Sequence, residues 1–297
     1  MFSTELVVQT FISGVMIGVL YALMALGITF IYSIMRMINW AMGEFYMIGS
    51  YLQYMLVAFL LGPDLWWLAI PISAAGVFAL GLAVQWGLLK PIFRKPPETR
   101  DDYATVVTLA LLLLFRSLAT GLAGPNQFTP GSNLPVIMVG PMPLAGARVA
   151  AFVFALVALA LFWVVLRYTW YGLALRATSQ SRVGVQTAGI DVLGVDRMAF
   201  GIGVALAGLA GALLAPVFLV FPTDGLVTTV KGFEIVVIGG LGSIPGALIA
   251  GVLLGLIESF GAAFIDSAYQ NIYGFLLVLA ILVLRPTGLF GERGREA

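Results

Sequence analysis

Residues 6–35 read LVVQTFISGVMIGVLYALMALGITFIYSIM, an apolar run without one charged side chain. A helix needs about 20 apolar residues to cross roughly 30 Å of hydrocarbon, so this stretch alone is long enough to span a bilayer. Outward from it, charge-free windows recur at 45–63, 65–89, 117–147, 149–166, 198–223, 235–257 and 267–284. Lipid cannot satisfy an open backbone, and alternating strands of about ten residues are not visible, so these windows read as helices. Spans are expected near residues 8–33, 41–61, 66–89, 104–122, 148–167, 198–219, 233–262 and 269–284. The expected fold class is all-α, a polytopic inner-membrane helical bundle of about eight hydrophobic segments with one or more broken or re-entrant helices. Residues 1–297 form one domain in this reading.

Composition excludes most other classes. Of the 297 residues 61% are hydrophobic and 10% charged, whereas soluble domains carry about 25% charged residues to cover their surface. The absence of cysteine removes disulfides, thiolate metal sites and thiol redox chemistry, and the absence of histidine removes the common imidazole ligands and proton relays. No metal, cofactor or catalytic residue is therefore expected. A net charge of +1 carries no nucleic-acid footprint. A secretory signal opens on a basic region and a short apolar core; here the first charge is Glu5 and the apolar run is long, so the first segment is expected to be kept.

Basic residues cluster in three places: Lys90, Arg94, Lys95 and Arg100; then Arg167, Arg176, Arg182 and Arg197; then Arg285, Arg293 and Arg295. Positive charge is retained inside, so these regions, including a loop at 168–197 and the C-terminal tail, are expected to be cytoplasmic. The connection at 121–147 has no Lys or Arg and is expected outside, as is the N-terminus. Three segments separate the basic loop from the basic tail, so one of them must enter and leave on the same side. The segment at 232–262 is the candidate, because Gly239-Gly240-Leu241-Gly242-Ser243-Ile244-Pro245-Gly246 interrupts it and proline lacks the amide hydrogen that a helix interior needs. Such a break suits backbone that is packed in protein or lines a water-filled cavity. The pairs Gly14/Gly18 and Gly251/Gly255 read instead as close helix packing.

Glu44 is the most informative charge, lying in the first turn of an apolar span. A carboxylate at mid-membrane costs about 2.5 to 3.5 kcal/mol on insertion scales, so it faces a cavity or a partner. The plainer reading keeps Asn39 as a helix cap and Glu44 as an interfacial charge near a helix N-terminus. Glu258 and Arg116 read as structural, by snorkelling or pairing with an opposite charge. Trp66 and Trp67 read as an interfacial belt.

Three stretches carry a family resemblance. Ile38-Asn39-Trp40-Ala41-Met42-Gly43-Glu44 with the following Phe45 to Tyr51 resembles the INFAHGE...MIGAY segment of LivH-type permeases of branched-chain amino acid ABC importers. Gly172 to Ala177, Thr187 to Asp191 and Ala207 to Gly211 resemble their cytoplasmic loop and the helix after it. Gly239 to Gly246, with Arg285-Pro286-Thr287-Gly288-Leu289-Phe290-Gly291, is the third match. The chain departs from the motif at Met42, where the family has His, and at Trp40, where it has Phe.

The resemblance implies a translocation pathway or gate drawing on Asn39, Met42, Gly43, Glu44, Gly239, Gly240, Gly242, Ser243 and Gly246. It also implies a coupling loop at 168–197 with Arg176, Ala177, Ala188 and Gly189 at an ATPase contact. The partners implied are a second related permease, two cytoplasmic ATPases and a substrate-binding protein outside. No G-x-x-x-x-G-K-[ST] phosphate loop is present, so hydrolysis by that mechanism would fall to partners. Three other readings compete: a permease for urea or a short amide, an ion-coupled secondary transporter built on broken helices, and a passive channel.

Overall fold

The computed structural model describes residues 4–94, 96–124, 126–131, 134–139 and 142–291. Lys95, Arg293 and Arg295, three of the residues used above to orient the chain, lie outside the described residues. Among the described residues the α-helices are α1 Thr4–Met35, α2 Met42–Met55, α3 Trp66–Val84, α4 Pro97–Ala123, α5 Gly146–Tyr168, α6 Trp170–Gln180, α7 Arg182–Thr187, α8 Val192–Leu214, α9 Asp224–Gly239, α10 Ile244–Phe264 and α11 Gln270–Leu284. Helix α2 runs on in π-helical turns to Leu61, and α3 to Leu89. Strands β1 (Ile137–Val139) and β2 (Met142–Leu144) pair antiparallel between α4 and α5. Eight helical segments are long and apolar enough to cross a membrane, so the molecule is a polytopic helical membrane protein.

The break at Gly239–Gly246 is real, but its flanks are unequal. The expected segment at 233–262 becomes two helices, α9 starting back at Asp224 and α10 ending at Phe264. Helix α10 is long enough to span the membrane by itself. Gly240 and Gly242 take φ of 97° and 82°, values that favour glycine, and the Ser243 Oγ caps α10 by accepting from Gly246 N at 3.2 Å. The start of α9 escapes a hydropathy reading because Asp224, Lys231 and Glu234 interrupt it.

Helix α1 runs through the centre, packed against α8 and α10. Small residues let the backbones approach, since lipid tails give apolar helices no reason of their own to associate. A Cβ on Gly18 would stand 2.6 Å from Val252 Cα, and one on Gly14 3.0 Å from Leu256 Cα. Gly27 meets Gly203 and Gly49 meets Gly208 in the same way, so α8 is clasped by α1 and α2.

Three segments gather at one end of the bundle. Arg182 donates to the Ile34 carbonyl at the end of α1 (3.1 Å) and pairs with buried Asp196 at the start of α8. Gly242 lies beside Tyr32, and Leu289 N and Phe290 N donate to the carbonyls of Ile238 and Gly239 at 2.8 and 3.0 Å. This end carries the basic loop and the start of the tail. At the opposite end, past α8, Phe128 and Val220 form a backbone bridge.

Candidate translocation site

The segment from Arg36 to Ala41 sets the site's position. Helix α1 stops at Met35, and Arg36 takes φ of 54°, an uncommon conformation for a residue with a Cβ. The chain turns back into the protein and α2 begins beside α1 about two turns before that helix ends: a Cβ on Gly27 would meet the Met42 methyl. Asn39 is buried and holds this turn, its Oδ1 accepting from Ala41 N at 3.0 Å. The expected cap on α2 is corrected here: Ala41 occupies the N-cap position and no side chain caps it. Asn39 acts one turn earlier, with its Nδ2 3.7 Å from Met42 Sδ.

Gly43 and Glu44 press against the first turns of α9. Gly43 N donates to Thr229 Oγ1 at 3.0 Å, and a Cβ at Gly43 would overlap the Gly225 carbonyl oxygen. Thr229 also donates to the Trp40 carbonyl at 3.3 Å, while Trp40 packs on Phe233 with ring centroids 5.0 Å apart. Glu44 is fully buried, and neither carboxylate oxygen has a hydrogen-bond partner among the described residues. It lies within electrostatic range of Arg116 and Asp224. Of the two readings kept open for Glu44, interfacial exposure does not fit this burial.

The expected site residues thus fall into separate places. Asn39, Met42, Gly43 and Glu44 lie together against Gly225 and Thr229. Gly239, Gly240, Gly242, Ser243 and Gly246 lie at the basic end, in the turn after α9. Helix α9 connects the two groups: Thr229 and Gly239 stand ten residues apart, about 15 Å along the helix. The four residues expected to couple to an ATPase lie on α6 and just past α7, also at the basic end. Arg176 is exposed and donates to the Arg167 carbonyl at 3.5 Å. Ala177 is half-buried, while Ala188 and Gly189 are exposed, Gly189 ending α7 with φ of 78°. Helix α6 buries Ala174, Leu175 and Thr178 against the bundle and leaves Trp170, Leu173 and Arg176 exposed.

One cluster was not anticipated. Lys231 of α9 donates to Glu258 of α10 at 3.0 Å and to Tyr21 Oη of α1 at 3.2 Å. The Glu258 carboxylate also accepts from Tyr21 Oη at 3.1 Å and from Gln270 Nε2 of α11 at 3.3 Å. Glu234 lies at the edge of this group: a Cβ on Gly274 would contact both its carboxylate and that of Glu258. The cluster borders a cavity of about 500 Å³ on the side away from the basic end, between α1, α9, the start of α11 and the 215–223 connection. Asp224 and Lys231 both line it. Their spacing of seven residues, two helical turns, was the available sequence signal. Hydropathy obscures it, because the apolar run begins only after Lys231. Trp66 is a smaller departure: it is buried against Phe154, and only Trp67 is exposed as a belt residue would be.

Helices that cross a membrane, a chain that turns back to pack beside one of them, and charged groups bordering a cavity define a multi-pass membrane protein of the permease class. Residues 10–284 match the model of the family described as "Branched-chain amino acid transport system / permease component", and the chain belongs to that family. It is 29% identical to the high-affinity branched-chain amino acid transport system permease protein LivH of Escherichia coli K12, over 96% of this chain and 95% of that one. BraD of Pseudomonas aeruginosa, a permease protein of the same description, is 30% identical over 96% and 95%. A probable branched-chain amino acid transport permease LivH of Methanocaldococcus jannaschii is 28% identical over 92% and 89%. No solved structure matches the chain.

Proposed function

We propose that this chain is the pore-forming permease subunit of an ATP-driven importer for branched-chain or chemically related amino acids. The observation that carries the reading is the family match over residues 10–284 with relatives aligned along nearly their whole length. The partners in this reading are a second related permease, two cytoplasmic ATPases and a substrate-binding protein on the far side of a bacterial inner membrane. The basic end of the bundle faces the cytoplasm, because Arg176, Arg182 and Arg285 collect there. The C-terminus then lies inside and the 126–131 segment outside.

In the mechanism we propose, Asn39, Met42, Gly43 and Glu44 belong to the wall of the pathway and the Gly239–Gly246 turn to a gate at its inner end. Helices α6 and α7 receive the ATPase, with Arg176 offering charge-assisted bonds to carboxylates or carbonyls of that partner. The buried face of α6 and the Arg182–Asp196 pair carry movement of that partner to α1 and α8. The test is uptake of labelled leucine and labelled urea into vesicles holding the complete complex. ATP-dependent leucine uptake is expected. Urea uptake in its place would change the substrate, and leucine uptake by this chain without an ATPase would make it a secondary transporter.

A further inference from the structure

The cavity beside Lys231 has the chemistry of a particular ligand class. Its walls include Met24, Leu214, Val217 and Phe221, all apolar, and its polar groups include a carboxylate and an ammonium. A volume of about 500 Å³ falls in the range of roughly 300–1,000 Å³ common for small-molecule sites. Asp224 and Lys231 lie on one face of α9, their Cα atoms about 10.5 Å apart along the axis.

The two groups differ in what they can offer a ligand. Asp224 spends one oxygen on Phe221 N, at 2.7 Å. The Lys231 ammonium stands 2.9 and 3.0 Å from the two Glu258 oxygens and 3.2 Å from Tyr21 Oη, so a ligand's carboxylate has to share it with Glu258. We propose that this cavity binds a zwitterionic α-amino acid with an aliphatic side chain, its ammonium on Asp224, its carboxylate on Lys231 and its side chain among the apolar walls. The assignment rests on the transport reading above and deepens it by naming the groups that touch the substrate. The standing pair between Lys231 and Glu258 competes for the ligand's carboxylate and keeps affinity low. A site of passage needs this, because binding must favour entering without preventing leaving. A charged side chain would meet apolar walls, so lysine and glutamate are poor ligands here.

The chain has no cysteine, so a single Thr228→Cys in the native background reports on the cavity wall. The rate at which a small thiol reagent modifies it is measured in the assembled complex with L-leucine, with 4-methylpentanoate, which lacks the ammonium, and with 3-methylbutylamine, which lacks the carboxylate. Leucine at twice its dissociation constant slows the reaction roughly threefold, and the two singly charged analogues at the same concentration do not. Adding Asp224→Asn weakens leucine protection at least about tenfold, as loss of a charge-assisted bond requires. The pair Lys231→Gln with Glu258→Gln removes the opposite contact without leaving the Glu258 carboxylate uncompensated, and it weakens protection likewise.

Protection by leucine that persists in both variants, equal protection by either analogue, or no protection at all overturns the proposal. Leucine uptake by the complete importer separates the two readings. Uptake without protection removes this site and leaves the transport function. Protection without ATP-driven uptake leaves the site and removes the importer.

Discussion

The buried charges carry the largest single-residue consequences. Glu258 is fully buried, and its carboxylate is held by Lys231, Tyr21 and Gln270. Removing one member of a buried ion pair costs about 3–5 kcal/mol, while neutralising both is far milder. Lys231→Gln is therefore expected to lower the thermal denaturation midpoint of the purified protein sharply, and addition of Glu258→Gln to restore most of it. A double variant no more stable than the single one would show that the pair is not the source of the effect. Gly43 is constrained by space instead of charge. Even an alanine methyl would overlap the Gly225 carbonyl oxygen, so Gly43→Ala is expected to move α9 away from α2 and reduce uptake. Gly87→Ala, with nothing within 4 Å of the added carbon, is the matched control and should leave uptake unchanged.

Among the elements, the contact between α1 and α10 is the most sensitive to bulk. Gly18→Leu places a branched side chain where the Val252 backbone already sits, so folded protein recovered from membranes is expected to fall well below that of Gly87→Leu. Helices α6 and α7 give a different kind of test. Arg176→Glu reverses an exposed charge, and losing a charged partner at a buried interface costs about 2–5 kcal/mol. Co-purification of the ATPase, or substrate-stimulated hydrolysis, is expected to drop while the permease stays folded; full retention of both removes Arg176 from the contact. Much of this level is legible from sequence. Apolar windows mark the long spans, Pro245 and its glycines mark the turn before α10, and Gly189 marks the end of α7. The start of α9 is not legible, because Lys231 and Glu234 look too polar for a membrane until their partners are known. Those partners on α1 and α10 lie 210 and 27 residues from Lys231 in sequence. Asn39 and Glu44 stand out as polar groups in an apolar run, but only the fold puts Gly225 and Thr229 against that run.

For the whole molecule, the orientation proposed above can be checked by placing single cysteines in this cysteine-free chain. Gln127→Cys is expected to react with an impermeant reagent applied outside the cell, and Gln186→Cys only after the membrane is opened. The reverse pattern would invert the molecule and remove the assignment of α6 and α7 to an ATPase. The central place of α1 bears on how the chain is made. Among the described helices it comes earliest in the chain, yet its neighbours α8 and α10 come late; Tyr21 waits for Glu258, 237 residues further on. Until α10 is made, the Gly14 and Gly18 ridge that receives it faces lipid or an insertion factor, and Tyr21 lacks the carboxylate it donates to. A nascent chain halted before α10 is therefore expected to remain bound to the insertion machinery and to be cleared by proteolysis. The turn where Leu289 and Phe290 fasten to Ile238 and Gly239 can form only after α11 has been made, and it ties the chain beyond α11 back to the end of α9.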